Sequence, residues 1–181
     1  MDNQRRRRTE QTWEKPPENW NKLNVDASFL SDQNKGAWGA VLRDHNGNVL
    51  LSVWGCIPHC QSAEAGEAIA CREGVNAILH ISHNPVILEC DNVAVVNELQ
   101  SRQRSKSAIS MIISDVKARI SSLPDFKISK VNRLGNFAAH SLAGLGLREW
   151  NHGVLMNAVP ECAVGTIQKD CNPPCNTLLI E

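Results

Sequence analysis

Residues 22–29 read KLNVDASF, in which apolar Leu23, Val25 and Ala27 alternate with polar Asn24, Asp26 and Ser28. Period-two alternation is the pattern of a strand with two unlike faces. A polar turn, Ser31 to Gly36, leads into two further apolar runs, Ala37–Arg43 and Val49–Ile57. Between these runs lies Asp44-His45-Asn46-Gly47-Asn48, and an Asn-Gly pair between strands signals a hairpin. Three strands with short connections predict an antiparallel meander. Gly36 and Gly39 beside Trp38 point to a close backbone approach or a bulge. Gln61–His80 has the length and composition of a helix, and Pro85 precedes a short apolar strand, Val86–Asp91. A helix between strands makes a crossover, so this fourth strand is expected to run parallel to the first. Asn92–Gln100 reads as a second helix, and Ala108–Ser121 as a third, with Ile109, Ile112, Ile113, Val116 and Ile120 at helical spacing. Phe126–Val131 supplies a fifth strand and Asn136–Leu147 a last helix, with Asn136 as its N-cap. The expected fold is α/β, a mixed five-stranded sheet (three antiparallel strands, then two parallel) flanked by helices.

Composition divides the chain into residues 1–19 as a disordered basic leader, 20–148 as one domain and 149–181 as an irregular tail rich in proline. Arg5 to Arg8 has three open readings: a nuclear localisation element, a phosphate contact, or a solvated tail. The 19 basic and 19 acidic residues cancel, so no global field marks a nucleic-acid binder. The stretch from Glu98 to Arg133 is nevertheless locally basic, with eight Lys or Arg against Glu98, Asp115 and Asp125. Seven cysteines without an apolar leader imply free thiols in a reducing compartment, nucleus or cytoplasm. Cys56 and Cys60 with His59, and Cys171 with Cys175, lack the tight spacing of structural zinc sites. No run is long enough to cross a bilayer, so no membrane partner is expected.

Three acids are candidates for chemistry. Asp26 interrupts a strand, where Asp is disfavoured. Either that face is wet, or the strand ends there in a turn, or the carboxylate is paired or bound to a cation. Glu67 sits in the first helix with Ala63, Ala70, Cys71 and Gly74 at helical spacing around it, a small-residue face that suits close approach to a sheet. It either snorkels to water or faces the protein, and Glu64 competes for the same role. Asp91 ends the fourth strand. It is either a plain N-cap or a ligand at the carboxyl end of a parallel strand, where open α/β sheets bind their ligands. If the fourth strand pairs with the first, Asp26 and Asp91 become neighbours, and two carboxylates side by side need a cation between them.

The ordered series NVDAS, GEAIACREGV, LECDN and RLGNFAAHSLA resembles the type 1 ribonuclease H domain, nearest to the plant branch of the reverse-transcriptase-associated, retrotransposon-derived family. The likeness covers roughly Trp20 to Leu147. It implies a ribonuclease H-like fold and an endoribonuclease that cuts the RNA strand of RNA–DNA hybrids with two Mg²⁺ ions, or Mn²⁺ in their place. Asp26, Glu67 and Asp91 would be metal ligands, and Glu67 is preferred to Glu64 because Ala70, Gly74 and Val75 follow at the family's spacing. The fourth catalytic position falls on His140, where the family pattern has Asp. Mg²⁺ prefers oxygen, so His140 is a poor ligand, a proton carrier, or a helix residue without a chemical role. The same likeness assigns Arg102, Arg104 and Lys106 to a basic protrusion that grips the DNA strand; a solubilising loop is the plain alternative. Main-chain groups beside Asp26 and Glu67 would read the 2′-hydroxyl. The second reading is a nucleic-acid-binding module of this fold with weakened catalysis; the third is an interaction domain that uses only the fold's surface. A monomer is expected.

Overall fold

The computed structural model describes residues 12–103 and 106–171, and the backbone of 178–179. The meander is β1 (Asn21–Leu30), β2 (Lys35–Arg43) and β3 (Val49–Ile57), all antiparallel. In the β2–β3 turn the Asp44 carboxylate accepts from the Asn46 and Asn48 amides at 2.8 and 2.9 Å, while Gly47 takes φ 91°. Helix α1 (Ala63–Ile78) starts on Ser62, whose hydroxyl caps the Ala65 amide at 3.0 Å, and crosses to β4 (Val86–Cys90). Then come α2 (Val93–Gln100), α3 (Ser110–Ile120), β5 (Phe126–Lys130) and α4 (Phe137–Glu149). The crossover sets β4 parallel to β1, with Asn24 opposite Glu89, and β5 parallel to β4.

The sheet has six strands rather than the expected five, in the order β5-β4-β1-β2-β3-β6. The additional strand, β6 (Gly153–Met156), adds antiparallel to the free edge of β3, and its four residues, Gly-Val-Leu-Met, are too few to show a strand period. The supposed irregular tail continues through β7 (Ala158–Val159) into helix α5 (Glu161–Asp170). A small second sheet pairs β7 with β8 (Leu178–Leu179). The leader expected over residues 1–19 also needs correction. Trp13 is 4% exposed and packs into the fold, so at least residues 12–19 belong to the domain. Arg5 to Arg8 and Cys175 lie outside the described residues.

Helices α1, α2 and α3 cover one face of the sheet, and a large apolar core fills the space between (Leu23, Val25, Leu88, Val75, Ile113 and Val116 among others). Helices α4 and α5 cover the other face, over a smaller cluster that includes Val41, Val49, Leu142 and Ile167. Two glycines set how close the helices come. A side chain at Gly39 of β2 would meet Ala139 O and Leu142 Cβ of α4 at 2.6 Å, and one at Gly74 of α1 would meet Val25 Cγ1 of β1 at 2.7 Å. These contacts seat α4 and α1 directly on β2 and β1. Gly39 is also the residue paired with Asp26.

Candidate metal centre

Register carries two of the acids to one edge. β1 and β4 pair as far as Asn24 opposite Glu89, and Asp26 and Asp91 each lie two residues further along. Asp91 does not cap the helix it precedes. Asn92 takes that place, its side chain accepting from the Val95 amide at 3.1 Å, which leaves the Asp91 carboxylate for other partners. Glu67 comes from α1, held over β1 by Gly74, and its Oε1 accepts from the Ala27 amide at 3.3 Å. Far from snorkelling, Glu67 is 8% exposed. On the other side α4 brings His140, whose Nδ1 lies 2.8 Å from Asp26 Oδ2. The ring of Phe137 stands 5.6 Å from the imidazole.

The carboxylates feel one another. Burial pushes Asp26 from 3.8 up to about 6; the His140 hydrogen bond opposes this and the charge of Asp91 adds to it. Burial pushes Glu67 from 4.5 up to about 10, reinforced by Cys90, Asp26 and Asp91 and opposed by the Ala27 amide. A donor atom from each of Glu67, Cys90 and Asp91 lies within 4.8 Å of the others. Acids raised in this way carry a desolvation and repulsion penalty that a divalent cation removes, so the donor set fits a cation.

A family model described as Reverse transcriptase-like matches residues 24–146, more than half of the chain. The chain belongs to that family. Among solved structures, this reverse transcriptase-like chain is similar to ribonuclease H1 from the halophilic archaeon Halobacterium salinarum, at 18% identity and a TM-score of 0.67, over 72% of this chain and 98% of that one. The N-terminal ribonuclease H domain of a Mycobacterium tuberculosis protein matches at 17% identity and TM-score 0.66, over 72% and 94% of the two chains. LC11 ribonuclease H1 in complex with an RNA/DNA hybrid matches at 14% identity and TM-score 0.65, over 72% and 98%. A search of curated proteins finds no match. The fold of the reverse transcriptase-like chain is therefore ribonuclease H-like.

Asp26, Glu67, Asp91 and His140 thus share one corner of the sheet in this reverse transcriptase-like domain, whereas Glu64 hydrogen-bonds to none of them among the described residues. Arg102 and Lys106 are exposed in the loop between α2 and α3; Arg104 lies outside the described residues. Helix α2, which starts beside Asp91, is eight residues long and separates that loop from the acids by about 12 Å.

Three residues near the centre have no role at the site in the sequence reading. Cys90, directly before Asp91, was counted only as a thiol. Asn24 and Asn136 form a buried bridge behind Asp26. The Asn24 side chain uses all four of its hydrogen-bonding positions: Oδ1 accepts from Trp13 Nε1 (2.9 Å) and Arg43 Nη2 (3.0 Å), and Nδ2 donates to Glu89 Oε2 (2.9 Å) and Asn136 Oδ1 (3.2 Å). Asn136 stands at the N-cap position of α4 but caps nothing with its side chain. Its Nδ2 donates to Val25 O at 2.8 Å and lies 3.5 Å from Asp26 Oδ1, so it ties the helix start to the strand carrying the acid. No helix among the described residues is long and apolar enough to cross a membrane.

Proposed function

We propose that the chain is a metal-dependent endoribonuclease that hydrolyses the RNA strand of RNA–DNA hybrids, acting as a monomer. One observation supports this reading: Glu67 and Asp91 offer donor atoms within 4.8 Å of one another beside Asp26, and burial, with the charge of Asp91 adding to it, raises Asp26 to about 6 and Glu67 to about 10. Likeness to a ribonuclease H1 solved with a hybrid bound supports nucleic acid as the substrate class. Asp26, Glu67 and Asp91 would hold Mg²⁺ or Mn²⁺, which when bound supplies Lewis acidity for attack of water on phosphorus and for departure of the 3′ oxygen. The protein's own contribution is placement. β1 and β4 fix two carboxylates at one height, Gly74 lets α1 bring the third, and Asn136 holds Asp26 from behind. His140 Nδ1 lies 2.8 Å from Asp26 Oδ2, and with Asp26 ionised an Nδ1–H would donate to that oxygen. Arg102 and Lys106, together with Arg104, would contact phosphates, a contribution that weakens with salt and carries no sequence preference.

The same His140 favours a second reading, a hybrid-binding module with faded catalysis. Where a fourth carboxylate would attract a cation, an imidazole is hydrogen-bonded to one of the remaining three. Labelled RNA–DNA hybrid incubated with Mg²⁺ or Mn²⁺, beside an Asp91→Asn control, separates the two. Cleavage of the RNA strand by the wild type alone is expected. Binding without cleavage under either ion supports the module instead, and neither binding nor cleavage leaves only the fold.

A further inference from the structure

The donor set of the candidate centre is not made of oxygen alone. Cys90 Sγ lies 3.6 Å from Glu67 Oε2, and donor atoms of Glu67, Cys90 and Asp91 are all within 4.8 Å of one another. We propose that Cys90 is a ligand of this centre and makes it a site for a borderline transition-metal dication, Zn²⁺ or Co²⁺, held more tightly than Mg²⁺. The inference rests on the reading of Glu67 and Asp91 as metal ligands and deepens it by naming the ion class.

Three observations point the same way. The first is spacing. A four-coordinate Zn²⁺ with bonds of roughly 2.0–2.3 Å sets its donors about 3.3–3.8 Å apart, so separations within 4.8 Å have at most roughly 1–1.5 Å to close.

The second is the setting of the sulfur. Cys90 ends β4, and its Sγ accepts from the Asn92 amide at 3.5 Å. On its inner side it shares a hydrogen bond with the Cys71 thiol of α1. The Asn92 amide aimed at the sulfur favours the thiolate that a metal needs, and such an outer partner orients a ligand and tunes its basicity. A coordinated dication takes the sulfur as thiolate, and the thiol proton leaves to solvent.

The third is chemical type. Mg²⁺ takes oxygen and gains nothing from sulfur, whereas thiolate and imidazole are ligands that Zn²⁺ and Co²⁺ select. A thiol that merely filled the core would have no reason to stand against a buried carboxylate, since a methyl group fills the same space without a polar contact. Cys56, another cysteine beside a possible donor, lies 3.3 Å from His152 Nε2 and serves as the internal control.

The full-length reduced chain, stripped of ions, is titrated with Co²⁺, Zn²⁺ and Mg²⁺ and followed by near-ultraviolet absorbance and calorimetry. The wild type is expected to develop a thiolate-to-cobalt charge-transfer band that Zn²⁺ bleaches. Cys90→Ser should lose the band and bind Zn²⁺ weaker by roughly tenfold or more. Cys56→Ser and Cys162→Ser should keep both. Absence of the band in the wild type, its survival in Cys90→Ser, or its loss in Cys56→Ser overturns the proposal. Zinc-edge absorption of the wild type needs no variant: a sulfur scatterer at roughly 2.3 Å with oxygen neighbours is expected, and a shell of oxygen and nitrogen alone overturns it. Hybrid cleavage with Mg²⁺ but no cobalt band would leave the nuclease reading standing and remove this one. A band without cleavage under any ion would do the reverse.

Discussion

The side chains of Leu23, Val25 and Ala27 pack on α1 through carbon, whereas those of Lys22, Asn24 and Asp26, on the opposite side of the same strand, meet mostly polar groups. Both sides are buried: Leu23 and Asn24 are each fully inaccessible. Lys22 Nζ pairs with Glu89 Oε1 at 2.8 Å, and Asn24 links Trp13, Arg43, Glu89 and Asn136. Arg43, paired with Lys22 across the strands, stacks 3.5 Å from the Trp13 ring and forms an ion pair with Asp170 of α5 at 2.7 Å. Burial penalises both partners, lowering the pKa of Arg43 and raising that of Asp170, with each charge offsetting part of the other's cost.

The difference lies in what each face can be asked to do. An apolar face is stable without specific partners and tolerates substitution by volume. A buried polar face is tolerable only while every donor and acceptor is engaged, and it then fixes positions closely. Here it runs from Asp170 through Arg43, Asn24 and Asn136 to Asp26, with Arg43 Nε the one side-chain group of this series left buried without a partner among the described residues. The candidate centre therefore stands at the end of a hydrogen-bonded lattice that includes both segments flanking the domain core.

Substitutions on the two faces sharpen this contrast. Arg43→Ala strands Asp170 and Asn24 in the interior and should destabilise by about 3–5 kcal/mol in denaturant unfolding. Replacing Arg43 and Asp170 together by Met and Leu should recover most of that loss, and failure to recover would mean the lattice contributes more than paired charges. On the apolar face, Leu23→Ala should cost about 2–5 kcal/mol through its cavity, without altering ion binding at the centre. Asn136→Ala should cost less, about 1–3 kcal/mol for unsatisfied partners, yet weaken ion binding measured by calorimetry, which Leu23→Ala should not.

The smallest stability effect at mildly acidic pH, and the one of opposite sign, belongs to Glu67→Gln. Between pH 4.5 and about 10 the ion-free folded chain keeps on Glu67 a proton that the unfolded chain releases. Stability therefore falls as pH rises through that window. Gln cannot ionise and can still accept from Ala27, so the variant should show a flatter fall in melting temperature from pH 5 toward 9. An unchanged slope would mean Glu67 is not held protonated. In activity, His140→Asp should raise Mg²⁺-dependent cleavage, and no gain would count against His140 as the fourth position.

Much of this was legible in the sequence because alternation, helical spacing and turn chemistry act locally. The meander and the crossover to a parallel β4 follow from such signals, whereas Glu67 was preferred to Glu64 only through the family resemblance. What alternation could not say is whether the polar side of β1 is wet. That depends on Trp13 and Asp170, which lie in segments of weak local pattern and return to the sheet only through tertiary contacts. Asn136 was placed correctly at a helix start and given the wrong partner, since a cap and a cross-link to β1 require the same residue type. Asp91 lost its capping role to Asn92, a one-residue difference that propensity does not resolve.

Crystals of the wild-type chain soaked in Mn²⁺, with anomalous scattering collected at the manganese edge, test the centre most directly. Anomalous peaks in contact with the carboxylates of Asp26, Glu67 and Asp91, absent in Asp91→Asn, are expected. Ordered carboxylates with no peak among them at millimolar Mn²⁺ would contradict a metal centre at this corner of the sheet.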